Sequence, residues 1–509
     1  MDETDVIVIG GGTGGYSTAL RAAALGLEVV LAERDLIGGT CLHRGCIPSK
    51  AMLHAAELVD GIAEARERWG VKASLDAVDW SALTATRDDI VTRNHRGVEG
   101  TLAHAGVRVV RGSAALTGPR TVRVTPVTAT GPDGTPGTGD GQGVSEWTAR
   151  RGIVVATGSR PRTLPGPAPD GRRVVTSDDA LFAPGLPASV LVLGGGAIGV
   201  EYASLHRSMG AQVTLVEAAD RLLPLEDADV SRHLTRGLKR RGIEVLTGAR
   251  LEEAEPYDDG VRATVRTARG EVRTLEVERL LVAVGRAPVT DGLELAAAGL
   301  ATDERGFLAP ADWSRLETAV PGIHVVGDLL PPPSLGLAHA SFAEGLVVAE
   351  TLAGGTPRPV DYDAVPRVTY SSPQTASVGL SEAAARARAG DDAVVVNTMP
   401  LTAIAKGMVH GQGGIVKVVA ERAAGSGSAV SAGSAPVQAS EPASAPAGRI
   451  LGVHLVGPHV SEMIAESQLI VGWDAEPADV AQHIHPHPTL SEAVGETYLT
   501  LAGRGLHQH

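Results

Sequence analysis

Near its start the chain carries an apolar run, Asp5-Val-Ile-Val-Ile-Gly10. It passes into Gly10-Gly11-Gly12-Thr13-Gly14-Gly15 and then into an Ala- and Leu-rich stretch reaching about Leu25. Such a pattern predicts a buried strand, a tight turn and a helix. A second apolar run, 28–32, ends on Glu33, eighteen residues beyond Gly15. The same order returns downstream as strand 190–193, turn Gly194-Gly195-Gly196-Ala197-Ile198-Gly199, helix 200–209 and strand 212–216. That copy ends on Glu217, again eighteen residues after its last glycine. Two copies of one strand–turn–helix–strand–acid unit predict an α/β protein with two doubly wound parallel-sheet domains.

The remaining pattern fills in around these copies. Residues 151–160 (RGIVVATGSR) and 280–288 (LLVAVGRAP) each predict a buried strand running into a glycine turn. His324-Val-Val-Gly327-Asp328 predicts a short strand ending in Gly-Asp, and from about Asp361 the pattern becomes α+β. The Gly-, Pro- and Thr-rich stretch 118–142 predicts an extended hairpin or flexible insertion. The stretch 423–448 is almost wholly Ala, Ser, Gly and Pro, which predicts a disordered loop. Its flanks, 415–419 and 450–456, are expected to pair across it as a hairpin.

Chemistry attaches first to the glycines. In a Gly-x-Gly-x-x-Gly turn the backbone can approach a pyrophosphate, which the N–H groups at the helix N-terminus then hold. An acid at the end of the second strand accepts hydrogen bonds from a ribose diol. Gly10, Gly12, Gly14, Gly15 and Glu33 therefore predict one dinucleotide site; Gly194, Gly196, Gly199 and Glu217 predict another. A carboxylate at Glu217 favours the free 2′-hydroxyl of NAD over the 2′-phosphate of NADP, with Arg221 the one nearby residue of opposite tendency.

Composition narrows the class. With 509 residues the chain is too long for one core, and a net charge of −14 argues against nucleic acid or an anionic membrane as the main partner. No transmembrane run and no leader precede the first strand, so a protein of the cytoplasm is expected. The chain has two cysteines, Cys41 and Cys46, four residues apart in IGGTCLHRGCIPSK (37–50). In a reducing compartment such a pair is more often catalytic than structural. Five helical steps advance about 7.5 Å, beyond the roughly 4.4–6.8 Å between Cα atoms that a disulfide prefers. A bridge there needs a local distortion, which Gly45 and Pro48 permit. The apolar run 51–59 looks helical, so the thiols would sit at a helix N-terminus where a thiolate is stabilised.

This peptide resembles the redox-active segment of the pyridine nucleotide–disulfide oxidoreductases, most closely the branch that oxidises dihydrolipoyl groups. It departs at His43 and Arg44, where Asn usually follows Cys-Leu. The resemblance implies FAD and NAD as cofactors, and cofactor contacts at Gly39, Thr40, Lys50, Gly112, Thr157, Gly158, Ile198, Glu201, Gly285, Arg286, Gly327, Asp328 and Ala338. Lys50 would sit beside the flavin ring and Asp328 at its ribityl chain. By the same token Cys41 would be the interchange thiol and Cys46 the flavin-facing one. The implied division is an FAD domain over 1–160 completed by 289–361, an NAD domain over 161–288, and an interface domain over 362–509.

A second reactive segment, His483-Ile-His485-Pro-His487-Pro-Thr-Leu-Ser-Glu492, lies near the end of the chain. Alternating histidines suggest a metal site, but Pro486 and Pro488 interrupt the segment and neither cysteine nor a clear set of carboxylates joins them. His-Pro-Thr-x-x-Glu matches the family's base motif at His487 and Glu492. There an imidazole would deprotonate a dithiol while the carboxylate fixes its tautomer. The resemblance also implies that this segment serves the other subunit of a homodimer, and that the partner is a lipoyl-bearing E2 or glycine-cleavage H protein. The absence of further cysteines sets aside mercuric reductases, and Glu217 sets aside NADPH-linked glutathione-type reductases. An NADH-dependent reductase of another small disulfide, or a binding subunit of a larger assembly, are the alternatives.

Overall fold

The computed structural model describes residues 2–127, 143–164, 166, 168–423 and 447–507. The parts of both expected insertions that span 128–142 and 424–446 lie outside the described residues.

The first apolar run becomes the strand Asp2–Ile9, which pairs in parallel with Val29–Glu33 on one side and Ser145–Val155 on the other. Val6, Ile7 and Val8 are wholly buried, which explains why the run carries no alternation: helices cover both faces of such a sheet. Each of these side chains contributes about 1.5–3 kcal/mol by burial. Arg108–Arg111, Thr121–Thr125 and Ser113–Gly118 extend the sheet, and Ile323–Val325 pairs with Ser145–Val155 to bring the Gly327-Asp328 segment back to it. The helices Thr13–Ala24 and Ala338–Leu352 pack together. The stretch expected as a hairpin or insertion from 118 opens in a hairpin, Ser113–Gly118 pairing antiparallel with Thr121–Thr125, and Thr121–Thr125 in turn pairs antiparallel with Ser145–Val155.

The second copy forms its own parallel sheet, in the order Glu244–Thr247, Gln212–Glu217, Ser189–Leu193, Arg279–Val282 and Val174–Val175. A three-stranded antiparallel sheet, Arg250–Tyr257, Gly260–Arg266 and Val272–Val277, lies beside it. Chain passes between the two units through Ser159–Pro161 and Arg286–Pro288, which pair antiparallel. The last sheet is antiparallel throughout, in the order Arg367–Thr369, Gln374–Gly379, Ala447–Gly457, Ile415–Arg422 and Val394–Pro400. The expected hairpin is present, with Ile415 opposite Val456, but it runs further than expected: Arg422 lies opposite Ala447, so Ala447 and Gly448 belong to the strand and not to the loop. No described helix is long and apolar enough to cross a membrane.

Candidate active site

The thiols lie where two helices are interrupted. Cys41 is in the short helix Gly39–His43, and Cys46 is the first residue of the helix Cys46–Arg68. Arg44 and Gly45 leave helical geometry between them, which supplies the distortion the spacing demanded. Both cysteines are free and half-buried. The Cys41 thiol donates to the Cys46 sulfur, and that bond pushes Cys41 up and Cys46 down to about 7, with the Lys50 charge adding to the second shift. Of the two, Cys46 is therefore the one that takes the negative charge and Cys41 the one that keeps the proton.

Lys50 follows Cys46 by one helical turn. Its ammonium lies 2.9 and 3.1 Å from the two Glu201 oxygens and 4.6 Å from the centre of the Tyr370 ring. Burial opposes that charge, but the Glu201 carboxylate outweighs it and holds Lys50 above its ordinary value. Glu201 also accepts the Tyr370 N–H at 2.9 Å. Since Glu201 belongs to the helix Ala197–Ser208 of the second copy, this ion pair joins the two nucleotide units beside the thiols. His43 and Arg44 both reach back to the stretch after Glu33. His43 Nε2 and His95 Nδ1 lie 2.8 and 2.9 Å from the Ile37 carbonyl oxygen, and Arg44 pairs with Asp35 at 2.6 Å.

Close backbone approach explains the glycines. A Cβ on Gly15 would stand 1.8 Å from the Gly10 carbonyl oxygen, and one on Gly199 would stand 1.8 Å from that of Gly194. Gly39, at φ +58°, places its α-carbon where a Cβ would meet Gly12 at 2.7 Å, so the thiol segment rests directly on the first glycine turn. Neither helix Thr13–Ala24 nor Ala197–Ser208 takes a side-chain cap among the described residues, leaving their first N–H groups for an anion. The acids match as well. Glu33 accepts from the N–H groups of Gly11 and Asp35 at 2.6 and 2.7 Å; Glu217 accepts from Gly195 and Ala219 at 2.5 and 2.6 Å. Arg221 turns away, donating to the Pro224 carbonyl at 3.0 Å.

A single cleft collects Gly10, Gly12, Gly14, Glu33, Gly39, Thr40, both cysteines, Lys50, Thr157, Gly158, Ile198, Glu201, Arg286, Gly327, Asp328 and Ala338. Gly112 lies outside this lining, its N–H bonded to the Glu33 carbonyl at 2.9 Å. Gly15 of the first turn, Gly194, Gly196 and Gly199 of the second, Glu217 and Gly285 also lie outside it, although the helix that starts at the second turn faces the cleft through Ala197 and Ile198. Ser159, not singled out by sequence, organises the floor. Its hydroxyl donates to Asp328 and accepts from Arg286 Nε at 2.7 Å, while Thr157 donates to the Val289 carbonyl at 2.6 Å. Beneath them Glu344 is wholly buried and accepts from Gly327 N–H, Ser334 and Tyr362 at 2.7, 2.9 and 3.0 Å; burial pushes it up to about 7.

The C-terminal histidines go to separate partners. His487 Nδ1 lies 2.7 Å from Glu492 Oε1, with the imidazole 73% exposed, and Glu492 also accepts the Thr489 N–H at 2.8 Å. His485 Nε2 lies 2.7 Å from Glu466 Oε1. Neither His487 nor Glu492 lines the cleft of its own chain.

Residues 4–345 match the family described as Pyridine nucleotide-disulphide oxidoreductase, and residues 365–430 with 443–498 match that family's dimerisation domain. The chain belongs to this family. A dihydrolipoyl dehydrogenase of Bacillus subtilis is 37% identical over 508 residues, covering 99% of each chain. Dihydrolipoyl dehydrogenase 2 of Haloarcula marismortui is 39% identical over 505 residues, covering 99% of this chain and 98% of that one. Among solved structures, LpdA of Mycobacterium tuberculosis superposes with a TM-score of 0.81 at 25% identity, covering 98% of this chain and all of that one. The oxidoreductase is accordingly an FAD- and NAD-using disulfide enzyme of the lipoamide dehydrogenase fold. The residues present fit both groups: an uncapped helix behind each glycine turn, an acid ending the strand that follows each helix, and a cleft reaching from Glu33 to the thiols.

Proposed function

We propose that this oxidoreductase oxidises the dihydrolipoyl groups of a lipoyl-bearing protein, such as an E2 subunit or glycine-cleavage H protein, and passes the electrons to NAD. The observation that carries the reading is the pairing of a stabilised Cys46 thiolate with a histidine–carboxylate base that stands clear of its own cleft. Full-length similarity to proteins named dihydrolipoyl dehydrogenase supports the substrate class. In this reading residues 1–160 with 289–361 hold FAD and 161–288 hold NAD. Residues 362–509 join two subunits, so that His487 of one serves the thiols of the other. Trp473 and Ile484, 72% and 96% exposed, fit such a contact.

His487, oriented by Glu492, takes a proton from the dithiol substrate. The substrate thiolate attacks Cys41 of the oxidised pair, breaking the Cys41–Cys46 bond; Cys46 leaves as a thiolate held by the helix N-terminus and Lys50. The second substrate thiol then displaces Cys41, closing the substrate's disulfide and leaving a reduced enzyme pair. FAD, when bound, supplies the two-electron chemistry that links this dithiol to NAD. Lys50 and Glu201 keep a fixed charge pair at the junction where the thiol helix meets the second nucleotide unit.

Steady-state turnover of dihydrolipoamide beside other dithiols, with NAD and NADP in parallel, tests the proposal. The expected result is preference for dihydrolipoamide and for NAD, with Glu217→Arg narrowing or reversing the coenzyme ratio. Like charges brought together cost several kcal/mol, enough for a preference of about 100-fold. Equal turnover of all dithiols, or of both coenzymes by the native enzyme, would refute it.

A further inference from the structure

His485 stands two residues before the proposed base, and its surroundings are unlike those of an ordinary loop histidine. Its imidazole is 13% exposed, with Nε2 bonded to Glu466 on the helix Val460–Gly472. The other face of the ring lies against the helix Glu492–Leu501. A Cβ on Gly495 would stand 2.3 Å from His485 Nδ1 and 2.7 Å from Cε1. The ring is thus wedged between two helices, one holding it by a carboxylate and the other by the absence of a side chain. His487, by contrast, projects into solvent and is held by Glu492 at the first position of that second helix. Between them Pro486 accepts the Thr489 hydroxyl at 2.8 Å. The segment therefore has one buried anchor and one exposed tip.

We propose that His485 and Glu466, with Gly495 as the seat, form a positioning dyad that fixes the backbone presenting His487 to the dithiol. This rests on His487 acting as the base. The charged groups facing His485 are Glu466 from one helix and Glu492 from the other. The Glu466 hydrogen bond outweighs burial and holds His485 above the usual imidazole value, which favours the charged form of the anchor. Misplacing a catalytic group by about 1 Å can cost on the order of 100-fold in rate. An anchor one step removed should therefore matter although it touches no substrate.

Glu466→Gln weakens the anchor electrostatically, and Gly495→Ala dislodges the ring sterically while leaving His485 in place. In the flavin-loaded dimer both should slow enzyme reduction by dihydrolipoamide by roughly 10- to 100-fold, while reduction by NADH stays within about twofold of native. Nitrogen-detected NMR titration should find His485 above the usual imidazole range in the native enzyme and back within it in Glu466→Gln. His487→Gln serves as the benchmark. If it reacts with dithiol at the native rate, the base reading itself fails. If it is crippled while Glu466→Gln and Gly495→Ala both react normally, the dyad alone is overturned. Should Gly495→Ala lose its flavin, the same two rates measured in Glu466→Gln decide whether the dyad stands.

Discussion

Cys46 shows how one residue's chemistry follows from three neighbours. The Cys41 thiol donates to it, Lys50 faces it, and a helix begins at it; each favours the thiolate. A depressed thiol value means that charge is present above about 7 and is lost as pH falls through that point. In the two-electron-reduced enzyme the long-wavelength thiolate–flavin absorbance should be full at pH 8 and fade below about 7. Cys41→Ala and Lys50→Met should each move that fade to higher pH, because each removes a group favouring the charged form. Absorbance insensitive to both substitutions would contradict the assignment. The spacing of the cysteines made this pair legible in sequence. The Glu201–Tyr370 support was less so, because Tyr370 lies 320 positions beyond Lys50 and only folding brings them together.

At the scale of elements, the duplicated strand–turn–helix–strand unit was fully legible, since close glycine packing and a terminal acid leave few alternatives in sequence. The long helix Trp80–His104 and the antiparallel sheet 250–277 were not. The helix buries only Arg87 and Leu102 along its length, so its pattern is that of a solvated stretch rather than an apolar stripe. Glu33 and Glu217 end their strands in the sequence pattern and in the structure alike, but their bonds to backbone N–H groups appear only in three dimensions. The hairpin around the low-complexity stretch permits a direct prediction. Arg422 and Ala447 are already paired, so deleting 424–446 and closing with a short turn should leave flavin content, dimerisation and turnover nearly unchanged. Each doubling of loop length is worth about 0.6 kcal/mol. Monomeric or flavin-free protein on gel filtration would show the deleted stretch to be part of the fold.

Across the whole molecule, one buried cluster joins units that the sequence treats as separate. Lys417, on the strand Ile415–Arg422, lies 2.8 Å from Asp227, 2.9 Å from Asp229 and 2.7 Å from Glu382. Asp227 caps the helix Ala228–Arg240 of the second nucleotide unit, so the cluster ties that unit to the last sheet. Burial raises Asp227, but the Lys417 hydrogen bond and the N–H groups of Asp229 and Glu382 together hold it below its ordinary value, and the Lys417 hydrogen bond lowers Glu382. Folded values below the unfolded ones mean that this stability is present above the ordinary carboxylate range and lost as pH falls through the depressed values. Lys417, raised by the same partners, loses its share only as pH climbs through its elevated value. Lys417→Met should therefore destabilise by about 3–5 kcal/mol near pH 7, with the loss in melting temperature shrinking only as pH falls below the ordinary carboxylate range. A loss that does not change with pH would remove the electrostatic explanation.

In the proposed mechanism dithiol electrons enter through Cys41 and Cys46 after His487 removes a proton, independently of the nucleotide side. Anaerobic rapid mixing of native and His487→Gln enzyme, first with dihydrolipoamide and then with NADH, tests it most directly. His487→Gln is expected to lose roughly 10²–10⁴-fold in reduction by dihydrolipoamide while its reduction by NADH proceeds at the native rate. Equal loss in both half-reactions, or full dithiol reduction by His487→Gln, would contradict it.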